Sequence, residues 1–296
     1  MPFAGFPNFD DCVEKQMAKG RSEEEARKIC GYIKSRTEGK VHVKGEDPTQ
    51  AEWLISRYES SIKKLFEDLK PKLEKIIEKP KTHAASDIIR IDLKSVMNEV
   101  DNVMGKMYAD AEGTIQTELS RAYSQGDSFA QIRLGAKPSV RKATWKVIGD
   151  RVLKSQSDFK GINDATAAKI KAAIANGIIN EKTQGEIIDE IRDVIDKVGV
   201  ARAETMVRTE SMKAVNDGVK DRYDAEGVDG FERLEADDEK TCTDWEFNID
   251  GQTYFGCAGI DGKIFTRDQA NEVDEQTHPN CRGTWIPHFK LPGDDE

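Results

Sequence analysis

The sequence predicts an α+β protein that is predominantly helical, with extended helical N-terminal and middle regions and a small β-rich domain at the C-terminus. Apolar residues recur every three or four positions over long stretches before residue 227, which is the spacing of amphipathic helices. After residue 227, short aromatic segments alternate with glycine turns, a pattern typical of short strands. Hydrophobic residues make up only 37% of the chain and charged residues 34%, so we expect a large solvated surface.

Neither a membrane span nor a secretory signal is expected. The sequence has no run of about eighteen apolar residues. Its first dozen residues, MPFAGFPNFDDC, lack a basic stretch followed by an apolar core. The odd number of cysteines, five, argues against a full disulfide framework, so a reducing cytoplasm is the simplest setting for synthesis.

Residues 1–36 are predicted to form a helical hairpin. The stretch NFDDCVEKQMAKG gives one helix, and SEEEARKICGYI begins another, with Ser22 and Glu25 at capping-box spacing. Cys12 and Cys30 then face each other across the hairpin. In a reducing setting we prefer to interpret them as two small buried apolar residues, with a disulfide as the alternative.

The middle of the chain is predicted to be a linker at 37–49 followed by a long-helix region at 50–182. Pro71 is expected to interrupt or restart the first helix of this region. A second long helix should reach Tyr123 and stop at SQGDS. Within 130–182 lies a basic segment with eleven basic and four acidic residues.

Residues 183–296 are predicted to form a separate domain. It opens with the clearest helix, in which Thr183 and Glu186 form a capping box and Gly199 acts as the stop. A further helix runs to Gly227, and short strands follow. From 221 onward the chain holds seven basic against twenty acidic residues, so an acidic end is set apart from the basic segment. That division suggests different partners for the two parts, although a solvated helix face also explains the basic segment.

Four residues near the C-terminus are candidate zinc ligands. Zn²⁺ prefers four sulfur or nitrogen ligands in a tetrahedron. His278 and Cys281 lie three apart around Pro279, and Cys242 and Cys257 can supply two more ligands from neighbouring strands. A small domain with few large aliphatic residues needs such a support. The alternative is that the cysteines are buried apolar residues and His278 caps a turn.

Catalytic interpretations of the same region are weaker. A hydrolytic zinc requires an open coordination position and a general base, and the acidic residues just before Cys242 lie in an acid-rich stretch. Cys281 with His278 or His288 forms a candidate nucleophilic pair, for which no third orienting group is evident. These observations favour a structural site over a catalytic one.

The sequence Arg208-Thr209-Glu210 lies within a predicted helix. Glu204 and Arg208 have the spacing of an exposed ion pair on one helix face, which accounts for part of the pattern. A functional alternative is that Arg208 and Glu210 tie this helix to the C-terminal domain.

The segments ARAETMVRTESMKAVNDGVKDRYDAEGV, LEADDEKTC, DGKIF and THPNCRGTW, in this order, resemble the C-terminal domain of phage head morphogenesis proteins, the Mu F-like minor capsid proteins. The family pattern has an R-T-E helix, an alanine/asparagine stretch, a D-x-x-T-C turn, a G-K-x-F strand and a terminal H-P-N-C-R-C. The resemblance covers residues 183–290. The matching positions are Arg208, Thr209, Glu210, Asp238, Thr241, Cys242, Gly262, Lys263, Phe265, His278, Pro279, Asn280, Cys281 and Arg282.

Two positions depart from the family pattern. The family often has a second cysteine three residues after the first, where this chain has Trp245. It often ends in C-R-C, whereas here Gly283 follows Arg282. Cys257 compensates for one of these losses if it enters the cluster from the next strand.

The resemblance implies a minor structural protein of a tailed virus head. Such a protein binds the portal and other capsid or scaffold proteins during procapsid assembly, without catalysis, and is linked to DNA packaging or delivery. It is expected in the virion, at the head interior or portal vertex, and in the host cytoplasm during assembly. Packaged double-stranded DNA is a candidate partner of residues 130–182. The alternatives are a metal-dependent nuclease or toxin-like enzyme and a zinc-supported DNA-binding regulator.

Overall fold

The computed structural model describes residues 6–37, 51–78, 93–134, 145–235 and 242–290, which form two compact units. Their secondary structure confirms a predominantly helical α+β protein. The first unit comprises Met1–Glu52, Ser120–Thr144 and Ser211–Glu296, and the second comprises Trp53–Leu119 and Trp145–Glu210. This division differs from the predicted domain at 183–296, because the chain passes between the units inside continuous helices.

The first unit begins with a helical hairpin of α1 (Phe9–Ala18) and α2 (Glu23–Thr37). The Asn8 side chain caps α1 by accepting a hydrogen bond from the Asp11 N–H. Cys12 and Cys30 are fully buried and joined as a disulfide across the hairpin. The preferred interpretation of two free buried thiols is therefore wrong, and the alternative describes the pair.

The second unit is entirely helical in its described residues. It contains α3 (Glu52–Glu78), the first part of α4 (Leu93–Arg133), α5 (Trp145–Ile179), α6 (Gln184–Val194), a π-helical segment (Ile195–Val200) and the start of α7 (Ala201–Ala225). The predicted apolar stripes face its core, which includes Tyr58, Ile62, Phe66, Val100, Ile115, Phe159 and Ile191. The capping box of Thr183 and Glu186 is present at the start of α6.

Three expected helix breaks are absent. Pro71 lies inside α3, which continues to Glu78. The SQGDS stretch lies inside α4, which extends ten residues beyond Tyr123. Gly199 does not end α6, since the chain continues through the π-helical segment into α7. Gly199 lies against the Phe66 ring, where a Cβ would be 2.5 Å from a ring carbon, so its role is close packing.

Close packing also explains why glycine is tolerated inside α4. In the first unit, a Cβ on Gly126 would overlap the backbone carbonyl oxygen of Val215 in α7. A Cβ on Gly218 of α7 would likewise overlap the carbonyl oxygen of Tyr123. The two helices thus approach each other at backbone contact, which offsets the intrinsic cost of glycine in a helix.

The C-terminal segment, residues 228–290, is called the terminal module below. Its strands are β1 (Gly230–Leu234), β2 (Glu246–Ile249), β3 (Gln252–Phe255), β4 (Ile264–Phe265) and β5 (Thr284–His288). Antiparallel pairing gives one sheet of order β4-β1-β5 and one hairpin of β2 and β3. The short helices α8 (Gly256–Ile260) and α9 (Arg267–Gln276) were not predicted, whereas the strands in GFERL, QTYF, KIF and TWIPH were.

Some predictions lie outside the described residues. They include nearly all of the linker at 37–49 and the matching positions Asp238 and Thr241. In the parts of the chain that the structure describes, no helix combines the length and apolar character needed to cross a lipid bilayer.

Candidate metal centre

The four predicted zinc ligands come from three separate pieces of the terminal module. Cys242 precedes β2, Cys257 lies in α8, and His278 and Cys281 flank the turn between α9 and β5. Gly256, directly before Cys257, has a φ of +69° and lies close to the backbone of Cys242. A Cβ on Gly256 would be only 2.6 Å from the Cys242 carbonyl oxygen, so glycine allows the two cysteines to come together.

The side chains of these residues converge. The Cys257 sulfur lies 3.0 Å from the Cys242 sulfur, 3.1 Å from Nε2 of His278 and 3.9 Å from the Cys281 sulfur. Cys242, Cys257 and His278 form one potential ligand triad, while Cys257 and Cys281 form a second with Glu235. The predicted ligands are thus brought together, with Cys257 at their centre, and they could hold a metal ion.

The donor set suits Zn²⁺ in type, and its ligand atoms fall into two triads that share Cys257, each with all of its atoms within 4.8 Å of one another. In a tetrahedral zinc site with Zn–S bonds of about 2.3 Å, neighbouring sulfurs are about 3.7 Å apart. The Cys257–Cys281 separation of 3.9 Å is close to that value. The separations of Cys257 from Cys242 and His278 are shorter, 3.0 and 3.1 Å, so both contacts must open by roughly half an ångström to accept the ion.

His278 is oriented for coordination through Nε2. Its Nδ1 lies 2.8 Å from the carbonyl oxygen of Pro279, the usual second partner of a ligating imidazole. The Trp245 ring meets the imidazole edge-on at 5.7 Å between centroids. Trp245 also donates its indole N–H to the Gln276 carbonyl, so it covers the histidine from the end of α9.

Arg233 is the residue at this site that sequence reasoning missed. Its side chain is fully buried, donates Nη2 to the Cys281 sulfur at 3.3 Å and donates Nε to Glu235 at 2.7 Å. Gly283 makes room for this pair, because a Cβ there would overlap the Arg233 guanidinium and the Glu235 carboxylate. Gly283 thus accommodates a buried ion pair.

The same arginine belongs to a buried charged network centred on Asp274. Asp274 accepts hydrogen bonds from Arg233 Nη1 at 3.1 Å, Lys220 Nζ at 2.6 Å and the Trp285 indole at 3.0 Å. Asn216 also donates to Asp274 and to the Gly283 carbonyl. No periodicity marks these residues, because their roles arise from contacts between distant parts of the chain.

The electrostatics of the cluster favour a thiolate at Cys281. A hydrogen bond with the Cys257 sulfur and the nearby Arg233 guanidinium lower the pKa of the Cys281 thiol well below its usual value, against the effect of burial. The shared hydrogen bond raises the pKa of Cys257. Hydrogen bonding to Cys281 raises the pKa of His278 to about 9. Burial raises the pKa of Glu235 to about 7, although Arg233 opposes the shift.

The Arg208-Thr209-Glu210 motif lies in the second unit and does not take part in this centre. Buried Glu210 accepts hydrogen bonds from Arg151 at 3.2 Å and Lys154 at 3.1 Å, both in α5. These contacts contradict the hypothesis that Glu210 ties its helix to the terminal module.

The other members of the predicted motif set have separate positions. Arg208 forms an ion pair with Glu59 at 3.4 Å, so its carboxylate partner lies in α3 of the second unit. Thr209 donates its hydroxyl to the Thr205 carbonyl. Arg282 is half-buried in the turn after Cys281.

The two candidate nucleophilic pairs, Cys281 with His278 and Cys281 with His288, differ in the surroundings of their histidines. His278 contacts the cysteines but faces a buried cluster rather than a pocket. His288 lies at the end of β5, where it lines a cavity with Asp229 and Lys290. Nδ1 of His278 is directed at the Pro279 carbonyl oxygen rather than at a carboxylate.

Ion pairs in the second unit neutralise part of the basic segment. Side chains that have carboxylate partners there are Arg151, Lys154, Lys160, Lys171 and Lys182. Such pairs reduce the positive charge that the segment presents to phosphate groups.

The chain matches no protein-family model, no curated protein and no solved structure. The resemblance to head morphogenesis proteins therefore depends on the ordered motif residues alone.

Proposed function

We propose that Cys242, Cys257, His278 and Cys281 bind one structural Zn²⁺ that holds the terminal module together. The observation that carries this proposal is the convergence of three sulfurs and one imidazole nitrogen from segments far apart in sequence. A metal ion that connects them supplies folding free energy directly.

Arg233 supports the metal by balancing charge. Three thiolates and one Zn²⁺ leave a net charge of minus one, which is costly in a buried site unless a cation lies nearby. The guanidinium of Arg233, 3.3 Å from the Cys281 sulfur, is that cation. Arg233 in turn is fixed by Glu235 and Asp274, which keeps its donor directed at the sulfur.

We propose further that the chain is a minor structural protein of a tailed virus head, which acts by protein binding at or near the portal during assembly. The ordered motif series supports this role, since its histidine and two of its cysteines are also the residues that form the metal centre. Four protein ligands complete a tetrahedral site and leave no position for a substrate, as structural zinc sites do. That arrangement favours a binding protein over an enzyme.

The favoured partners are the portal and other capsid or scaffold proteins. Residues 130–182 are the candidate DNA-binding segment. Five of its basic side chains form ion pairs with carboxylates, so we favour protein partners over DNA. In this proposal the protein resides in the virion, at the head interior or portal vertex.

Elemental analysis of the purified full-length chain tests the metal proposal. We expect one zinc per chain, lost in Cys242→Ser and in Cys281→Ser. The matched control is Thr253→Ser, on an exposed position of β3, which should retain the metal. Absence of zinc from the unmodified protein would contradict the proposal.

Co-expression with portal, scaffold and capsid proteins of the same virus tests the assembly role. The chain should sediment with procapsids and bind the purified portal. If particles form while the chain stays entirely unassociated, the role is wrong. A nuclease assay with Zn²⁺, Mg²⁺ and Mn²⁺ addresses the enzymatic alternative, which requires cleavage that is lost in His278→Ala.

A further inference from the structure

Two of the proposed metal ligands lie almost within bonding distance of each other. The sulfurs of Cys242 and Cys257 are 3.0 Å apart, and a disulfide bond is about 2.05 Å long, so they need to approach by only about 1 Å. Their backbones are already adjacent: the Cys257 N–H donates to the Cys242 sulfur at 3.1 Å, and the Ala258 N–H to the Cys242 carbonyl at 3.5 Å. Small side-chain rotations can therefore close this bond.

The competing pair, Cys257 with Cys281, is less well placed. Its sulfurs are 3.9 Å apart and must approach by almost 2 Å. The Cys281 sulfur is also held by the Arg233 guanidinium at 3.3 Å. Breaking that contact would leave a buried arginine without one of its partners, which opposes bonding of Cys281.

Access to oxidants also distinguishes the three cysteines. Cys242 is partly exposed, whereas Cys257 and Cys281 are buried, at 1% and 6% exposure. A small dissolved oxidant therefore reaches the Cys242 sulfur first. Cys257 lies directly behind it and is placed to react second.

We propose that Cys242 and Cys257 form an oxidation site at which a peroxide releases the metal and converts the two thiols to a disulfide. This proposal rests on the zinc site proposed above. Peroxide oxidises the Cys242 thiol to a sulfenic acid and is reduced to one water. The Cys257 sulfur then attacks the Cys242 sulfur, which forms the S–S bond and expels the sulfenic oxygen as a second water.

The electron balance of this reaction is complete. The two metal-bound thiolates lose two electrons in total, and one peroxide molecule accepts them together with two protons from solvent to become two waters. The metal loses two of its four ligands, because a disulfide sulfur no longer carries the thiolate charge that binds Zn²⁺. Only His278 and Cys281 remain, so the ion leaves and the terminal module exchanges a metal support for a covalent one.

Protease digestion distinguishes the two possible disulfide bonds. Cleavage after lysine and arginine yields peptide 241–263, which contains both Cys242 and Cys257, and peptide 268–282, which contains Cys281. A Cys242–Cys257 bond lowers the mass of the first peptide by two hydrogens and leaves the second unmodified. A Cys257–Cys281 bond instead joins the two peptides.

The experiment treats the full-length chain with increasing hydrogen peroxide while a zinc-sensitive dye reports released metal. We expect about one zinc released per disulfide, with the bond mapped inside peptide 241–263. Cys242→Ser should abolish the disulfide. Peptides that contain Cys12 and Cys30 serve as the internal control, since that pair is already bonded.

A sample purified without zinc separates this proposal from the one on which it rests. If the purified chain contains no zinc, the metal proposal fails, but peroxide should still form the Cys242–Cys257 bond in that sample. A dominant bond to Cys281, or over-oxidation of Cys242 without any disulfide, would overturn the oxidation site.

Discussion

The helical second unit and the terminal module are stabilised in different ways. The second unit buries the apolar faces of its long helices. In many of its ion pairs at least one partner stays exposed to solvent, as Lys154 does in its pair with Glu210. The terminal module is short and contains few aliphatic residues. It packs Arg233 and Asp274, both at most 2% exposed, beside three cysteines and a histidine.

The difference follows from the area that each region can bury. Long amphipathic helices remove a large apolar surface from water, so the packing of apolar side chains is the main source of stability in the second unit. The terminal module is built from short strands and helices, and beside apolar side chains such as Phe247 and Trp285 it buries the ion pairs of Arg233, which we propose act together with a metal site. The predictions below test this contrast, beginning with the largest expected effect.

Removal of the metal should unfold the terminal module and leave the second unit folded. We expect a strong chelator, or Cys281→Ser, to lower the free energy of unfolding of the module by more than the ~3–5 kcal/mol typical of a broken buried ion pair. Limited proteolysis combined with far-UV circular dichroism measures both regions. Cuts confined to 228–290, with most helical signal retained, are the expected result. Equal resistance with and without chelator would contradict it.

Arg233→Met should be the next most disruptive change. It leaves Glu235 and Asp274 as buried carboxylates without this partner, so we expect a loss of about 3–5 kcal/mol of stability in urea unfolding. Arg192→Met is the matched control in the second unit, where the arginine pairs with Glu74 and is half exposed. The control should have little effect. Similar losses for both variants would show that burial does not distinguish the two arginines.

Removal of the Cys12–Cys30 disulfide should have an intermediate effect. The bond closes a loop with a sequence separation of 18, and a loop of this length is worth about 3 kcal/mol. The double variant Cys12→Ala/Cys30→Ala should therefore melt earlier than the unmodified chain in calorimetry. Its zinc content should not change, because these cysteines are not candidate ligands.

The smallest effects concern glycines inside α4. Gly126→Ala forces a Cβ into the Val215 carbonyl and should cost about 1–3 kcal/mol. Gly113→Ala, in the same helix with open space around it, should instead stabilise by about 0.5–1 kcal/mol through helix propensity. Chemical denaturation of the two variants gives the comparison, and a stabilising Gly126→Ala would refute the close approach.

The helices and most strands were predictable because their signals are local. The apolar periodicity of α3 and α4 and the Thr183–Glu186 capping box depend on residues near each other in sequence. The helix ends were less predictable. Gly126 and Gly199 look like breaks in isolation, but each accommodates a neighbour that only the tertiary structure brings close.

The residues of the candidate site were likewise predictable only where their signals are local in the sequence. The four ligand residues could be named from chemistry and spacing, because cysteine and histidine near one turn are unusual in this chain. Arg233, Glu235 and Asp274 could not, since acidic residues are abundant here and arginine has no preferred spacing to a sulfur. Their roles come from burial, which composition does not reveal.

X-ray absorption spectroscopy at the zinc edge tests the central claim most directly. The account predicts a tetrahedral shell of three sulfurs at about 2.3 Å and one nitrogen at about 2.0–2.1 Å, reduced by one sulfur in any zinc that Cys281→Ser retains. A shell dominated by oxygen, or a protein that takes up no zinc under reducing conditions, would contradict it.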